Sequence, residues 1–160
     1  MPIKSKFFVF KCLFIIILLL LGGCRDNKTL SKSIIKEIDS QCGERTECTI
    51  SMERVTSFEW DKLVVFQVGS SNKEVSNHLG FEYNGSTDLM SGLIFVLDNK
   101  IVFEEKIPYN PEKGSELQIL FDGNTKDQSS AGYNLDNAIF TCKKNIIDGV
   151  TYYTIIAKSK

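Results

Sequence analysis

The hydrophobic positions change their spacing several times along the chain, and each change marks an element. An unbroken apolar run, Cys12–Leu21, comes first, with Lys4, Lys6 and Lys11 ahead of it and no acid before Asp26. After a polar stretch, Leu30, Ile34, Ile35 and Ile38 recur at helical spacing, which predicts an amphipathic helix ending near Gln41. Residues 42–47 read as a turn. From Cys48 the period falls to two, with Cys48, Ile50 and Met52 alternating against Thr49, Ser51 and Glu53, the pattern of a half-buried strand. A second strand starts near Lys62 and is apolar on both faces through Val68, which predicts a central position. Ser71 with Glu74 forms a capping box, Gly80 is a helix terminator, and Val75 and Leu79 share one face between them.

Beyond Gly80 the pattern is that of strands. Leu93–Leu97 and Ile101–Ile107 flank a tight turn at Asp98-Asn99-Lys100. Leu117–Phe121 is a short strand, and residues 122–134 read as a polar loop. Ala138, Phe140 and Cys142 alternate inward, Asp148-Gly149 turns the chain, and Tyr152–Ala157 closes it. Strands joined by short turns favour antiparallel pairing. The expectation is an α+β fold, a mostly antiparallel sheet of about six to seven strands with two helices on one face. Residues 30–160 form one domain, 24–29 a tether and 1–23 a separate leader.

The leader has the three parts of an export signal: a basic start, a short apolar segment and a small-residue exit. Its apolar run is half of the about 20 residues a membrane span needs. The exit, Leu21-Gly22-Gly23-Cys24, resembles the lipobox of bacterial lipoproteins at all four positions. That resemblance implies a diacylglycerol thioether on Cys24, cleavage before it, and a membrane partner reached through the lipid. It also implies an envelope location facing the periplasm. In enterobacterial lipoproteins an Asp after the cysteine retains the protein in the inner membrane; Arg25 stands here, which leans toward the outer membrane in a Gram-negative host.

Charge and cysteine content narrow the rest. Without the leader the chain keeps 16 basic against 20 acidic residues, a net −4, which argues against a nucleic-acid partner. Cys42, Cys48 and Cys142 remain besides Cys24, and an exported domain meets oxidising conditions. Cys42 and Cys48 are held near each other by a short turn, so a Cys42–Cys48 disulfide is expected, with Cys142 buried and reduced. The rival is a long-range bond from Cys142 to either of them.

The one histidine, His78, has neither a GxSxG serine nor a metal-ligand spacing to work with. Glu104 and Glu105, adjacent on a strand, point to opposite faces. No catalytic residue, metal or cofactor is expected, and no enzyme. Phe58-Glu59-Trp60-Asp61-Lys62, with Leu79-Gly80 beyond it, resembles a phrase found in small exported bacterial proteins, and implies no activity. Trp60 has two readings, a core residue or an exposed partner anchor backed by Asp61 and Lys62. The function expected is a lipid-anchored, protein-binding envelope protein: an inhibitor, an immunity factor or an assembly accessory. The alternative is a small-ligand or glycan module using Trp60, Tyr83, Tyr109 and Tyr133.

Overall fold

The computed structural model describes residues 29–110, 116–123 and 128–158. The lipobox, Cys24 and most of the tether lie outside them. The described chain is α+β. Helix α1 (Leu30–Cys42) is followed by β1 (Glu47–Ser51), a one-turn helix α2 (Met52–Val55), β2 (Lys62–Phe66) and α3 (Asn72–Leu79). Then come β3 (Met90–Leu97), β4 (Lys100–Pro108), β5 (Leu117–Phe121), β6 (Ser130–Asn134), a 3-10 turn (Leu135–Asn137), β7 (Ile139–Ile147) and β8 (Val150–Ala157).

The antiparallel bias holds, but among the described residues the strands number eight and divide between two four-stranded sheets instead of one. The first has the order β1-β7-β8-β5 and the second β4-β3-β2-β6. All pairs are antiparallel except β5 with β8. The sheets share one core. Ile50, Phe140, Ile155 and Ile119 of the first meet Leu63, Val65, Leu93 and Phe95 of the second. Both tight turns have positive φ at two successive residues, Asp98 and Asn99 at 51° and 59° and Asp148 and Gly149 at 51° and 79°. That geometry matches the twist of the strands it joins.

The helices do not share a face. Leu30, Ile34, Ile38 and Cys42 of α1 enter the core between the sheets. Its first turn is tied to β4, where the Ser31 amide and hydroxyl donate to Glu105 Oε1 at 3.2 and 2.6 Å. A carboxylate there complements the positive end of the helix. Its last turn is tied to the first sheet, where Asp39 accepts from Lys144 Nζ at 3.0 Å and the Tyr153 hydroxyl at 2.9 Å. Helix α3 lies across the opposite face of the second sheet, where Val75 and Leu79 pack on Val64, Phe66, Ile94 and Val96. Strands β2 and β3 of the second sheet are therefore buried on both faces, while the start of β4 stays exposed.

Helix α3 is fixed by its ends. Ser71 caps it, with the hydroxyl accepting from the Glu74 amide and Glu74 Oε2 accepting from the Ser71 amide at 2.7 Å. Gly80 closes it in the left-handed conformation at φ 85°. The Ser71 backbone bond holds the Glu74 carboxyl below its usual range, helped by the Ser71 hydroxyl, opposed by burial, and helped again by Ser129 and His78. A depressed folded-state value stabilises the fold above the unfolded glutamate value of about 4.3. That contribution disappears as pH falls through the lower, folded value. Thermal midpoints measured from pH 6 downward should therefore drop more steeply for the native chain than for Glu74→Gln. Parallel profiles would show the capping box carries no proton linkage.

Two local expectations are corrected. The strand read through Met52 and Glu53 ends at Ser51, and Met52 opens α2. Met52 remains fully buried and its amide still reaches the Ala138 carbonyl at 3.0 Å, so the inward phase survives the change of backbone. The polar loop expected over 122–134 contains β6, paired along its whole length with β2. Gly132 of that strand faces α3, and a Cβ there would sit 3.7 Å from His78 Nδ1. The strand is held by β2 and α3, not by its own residue types.

Candidate functional site

The stretch from Trp60 to Lys62 is a structural junction. Trp60 is only 3 % exposed, its Nε1 donates to Thr56 Oγ1 at 2.9 Å, and its ring meets the Phe95 ring edge-on. It is a core residue and not an exposed partner anchor. Asp61, at the surface, accepts from the Asp98 amide at 3.0 Å and so holds the β3–β4 turn. Lys62 Nζ donates to the Leu79 carbonyl at 2.9 Å and so closes the end of α3. Each side chain serves a neighbouring element.

The aromatic set does not converge. Trp60 at 3 % and Tyr133 at 5 % exposure lie in the core between the sheets. Tyr83, at 4 %, lies on the opposite face of the second sheet, where its hydroxyl donates to Glu104. Burial first, then that carboxylate, pushes the Tyr83 phenol well above its ordinary value. Only Tyr109, at 55 %, is open to a ligand. A glycan platform built from these four residues is ruled out by their placement.

Cys42 and Cys48 form the disulfide expected of them, with α-carbons 5.1 Å apart across the α1–β1 turn. Cys142 is free and buried, and burial pushes its thiol up to about 12. His78 sits half-buried on α3. Among the described residues no group of three or more His, Cys, Asp or Glu side chains is placed to hold a metal ion.

What the sequence did not reveal is the outer face of the first sheet. The register sets its rows. Thr49, Thr141, Ile156 and Leu120 line up across the four strands, and beside them Glu47, Lys143, Thr154 and Gln118. Ile139 lies at one end, and Asn145, Tyr152, Ile147 and Val150 at the other. None of these side chains is buried, and Ile139, Leu120, Ile147 and Val150 are exposed. Lys143 and Glu47 pair across the face at 3.8 Å. The signal that could have found it is the alternation along β7, where Thr141, Lys143 and Asn145 alternate with Phe140 and Cys142.

At the β5 edge this face meets a groove of about 280 Å³. Gln67, Val68, Ser91, Tyr109, Ile119 and Leu120 are among the residues that line it. Gln67 Oε1 accepts from the Phe121 amide at 3.1 Å and ties the end of β2 to β5. Leu120 belongs both to the groove and to the open face. The arrangement offers apolar and hydroxyl contact over a broad, shallow area. Comparison with protein-family models, curated proteins and solved structures finds no match to this chain.

Proposed function

We propose that the chain is an exported bacterial lipoprotein, anchored in the cell envelope through a lipid on Cys24, whose folded domain binds another envelope protein without turnover of its own. An inhibitor, an immunity factor or an assembly accessory would all work this way. One observation carries the binding reading. The central strands of the second sheet are covered on both faces, while the first sheet leaves a whole face of mixed aliphatic, threonine and charged side chains open among the described residues. A flat face of that kind suits a protein, since small ligands need concavity. The Cys42–Cys48 bond supports an oxidising destination. The lipobox Leu21-Gly22-Gly23-Cys24 supports the anchor.

The partner reading is tested by capture from detergent-solubilised envelopes. The combined Ile139→Asp and Ile147→Asp variant should recover at least tenfold less of the stoichiometric partner than the native chain. Lys73→Glu, on exposed α3, should recover it fully, and all three chains should share one thermal midpoint. Equal recovery by the double variant would remove the open face from the interaction.

The anchor is tested separately. Cys24→Ala should accumulate as unprocessed precursor or as a soluble form. One acyl chain anchors only marginally, and two or three make anchoring stable. Unchanged processing and membrane retention would refute lipidation.

A small-ligand reading would have to use the groove beside Tyr109. At about 280 Å³ it is at the lower end of the roughly 300–1,000 Å³ that ligand sites occupy.

A further inference from the structure

Cys142 is free, but it is not isolated. In the β1–β7 ladder it stands directly opposite Cys48. The Lys144 amide donates to the Thr46 carbonyl at 2.9 Å, which makes that opposed pair a hydrogen-bonded one. Two residues further on, Cys48 and Cys142 are again a hydrogen-bonded pair, with α-carbons about 5.5 Å apart. Opposed residues of a ladder point to the same face, with Cβ atoms roughly 4.5–5.5 Å apart. The α-carbon separation suits a disulfide, which spans about 4.4–6.8 Å, but its Cβ atoms must come to about 3.5–4.5 Å, so the two strands close by about 1 Å as the bond forms. Cys42, Cys48 and Cys142 all face the core between the sheets. The sequence holds three exportable thiols in the folded domain, and the fold places all three at one junction.

We propose that Cys142 is the third member of a thiol–disulfide exchange centre, able to take Cys48 from Cys42 when the α1–β1 junction opens. The step balances without an outside reagent. The Cys142 thiolate attacks Cys48 Sγ, the Sγ–Sγ bond to Cys42 breaks, and a Cys48–Cys142 bond forms. Cys42 leaves as thiolate and takes up the proton that Cys142 gave up. One disulfide and one thiol are present before and after. The outcome differs structurally. The first pairing fastens α1 to β1 through a short turn, whereas the second fastens β1 to β7 and releases the end of α1.

Burial keeps the exchange off in the closed fold. Burial pushes the Cys142 thiol up to about 12, so it stays protonated at neutral pH. When the last turn of α1 lifts, Cys42 stays tethered to Cys48 by the disulfide, water reaches Cys142, and β1 and β7 remain paired. Such local opening is less costly than global unfolding. Cys48 then remains in register with Cys142 while Cys42 does not, so the fold selects one of the two possible long-range bonds.

That selection is the test. The full-length chain, at low micromolar concentration in detergent, is held at pH 8 in graded urea without added thiol. It is then acid-quenched, alkylated and mapped as non-reduced peptides. Below the unfolding transition, Cys48–Cys142 peptides should exceed Cys42–Cys142 peptides at least tenfold. Above the transition the two should become about equal, because they close loops of nearly the same length. Absence of any Cys142 cross-link below the transition, or equal yields there, overturns the proposal. A second measurement uses Cys42→Ser and Cys48→Ser with oxidised glutathione. The first should form its remaining bond at least tenfold more than the second. Equal yields from two folded variants would also overturn it, and the urea series stands if either variant does not fold.

Discussion

Phe95→Ala is expected to reduce folding stability by about 4 kcal/mol, a large loss for a single truncation. Phe95 is fully buried in β3 and faces the core between the two sheets. Three further aromatic rings meet it there. Phe58 and Trp60 approach Phe95 edge-on at 5.2 and 5.3 Å between centroids, and Phe103 lies at 6.3 Å on the neighbouring strand. Phe58 in turn stacks on Phe103 at 5.0 Å. Removing the central ring forfeits its transfer free energy, leaves a cavity, and strips an edge contact from each neighbour. The neighbours cannot all move in. Trp60 is held by its bond to Thr56, and Phe103 is held in the ladder opposite Phe95. Against a typical total of about 5–15 kcal/mol, the variant would be marginal. Phe95→Leu keeps most of the volume and should cost under about 1.5 kcal/mol. Urea unfolding checks both, read as a midpoint shift at constant slope. A loss below about 1 kcal/mol for the alanine variant would show that the cluster closes over the gap.

Local chemistry was legible in the sequence, and long-range pairing was not. The capping box at Ser71 and Glu74, the turns at Asp98 and Asp148, and the inward phase of Ala138, Phe140 and Cys142 all depend on neighbours within a few residues. Each stands as read. The Cys42–Cys48 bond was legible for the same reason. The division into two sheets depends on β1 finding β7, and the parallel pair depends on β5 finding β8. Nothing in either strand names its partner, because hydrophobic alternation records a face and not a neighbour. Strand β6 was hidden by its composition, since Ser130, Ala131 and Gly132 have little strand preference and owe their place to β2 and α3. The core reading of Trp60 followed from its size and stands, whereas its bond to Thr56 could not be read from the sequence. The open face was half visible: the outward residues of β7 could be listed from alternation, but whether a helix covers them is decided by where α1 and α3 pack. The same limit applies to Cys142, whose burial was readable and whose position opposite Cys48 was not.

Gly92→Ala is expected to destabilise the domain by about 2–3 kcal/mol, by crowding and not by loss of contact. Gly92 lies in β3 between Phe66 of β2 and Lys106 of β4. A Cβ there would sit 2.7 Å from the Glu105 carbonyl oxygen and 2.7 Å from two carbons of the Phe66 ring. Neither can yield easily. The carbonyl belongs to the backbone of a paired strand, and Phe66 is fully buried in the cluster beneath α3. Gly85 is approached still more closely by the Tyr83 ring, but it lies in the irregular segment between α3 and β3, which has no ladder to hold it. Alanine is favoured over glycine in a strand by about 0.5–1 kcal/mol, and the expected loss is net of that gain. Gly123→Ala is the control, since nothing lies within 4 Å of its Cβ position, and it should stay within about 0.5 kcal/mol of the native chain. Phe66→Leu combined with Gly92→Ala should lose less than the two single losses added, because the smaller side chain relieves the ring contact and leaves only the carbonyl. Strict additivity in that cycle, measured by urea unfolding, would show that the Phe66 ring is not what excludes a side chain at position 92.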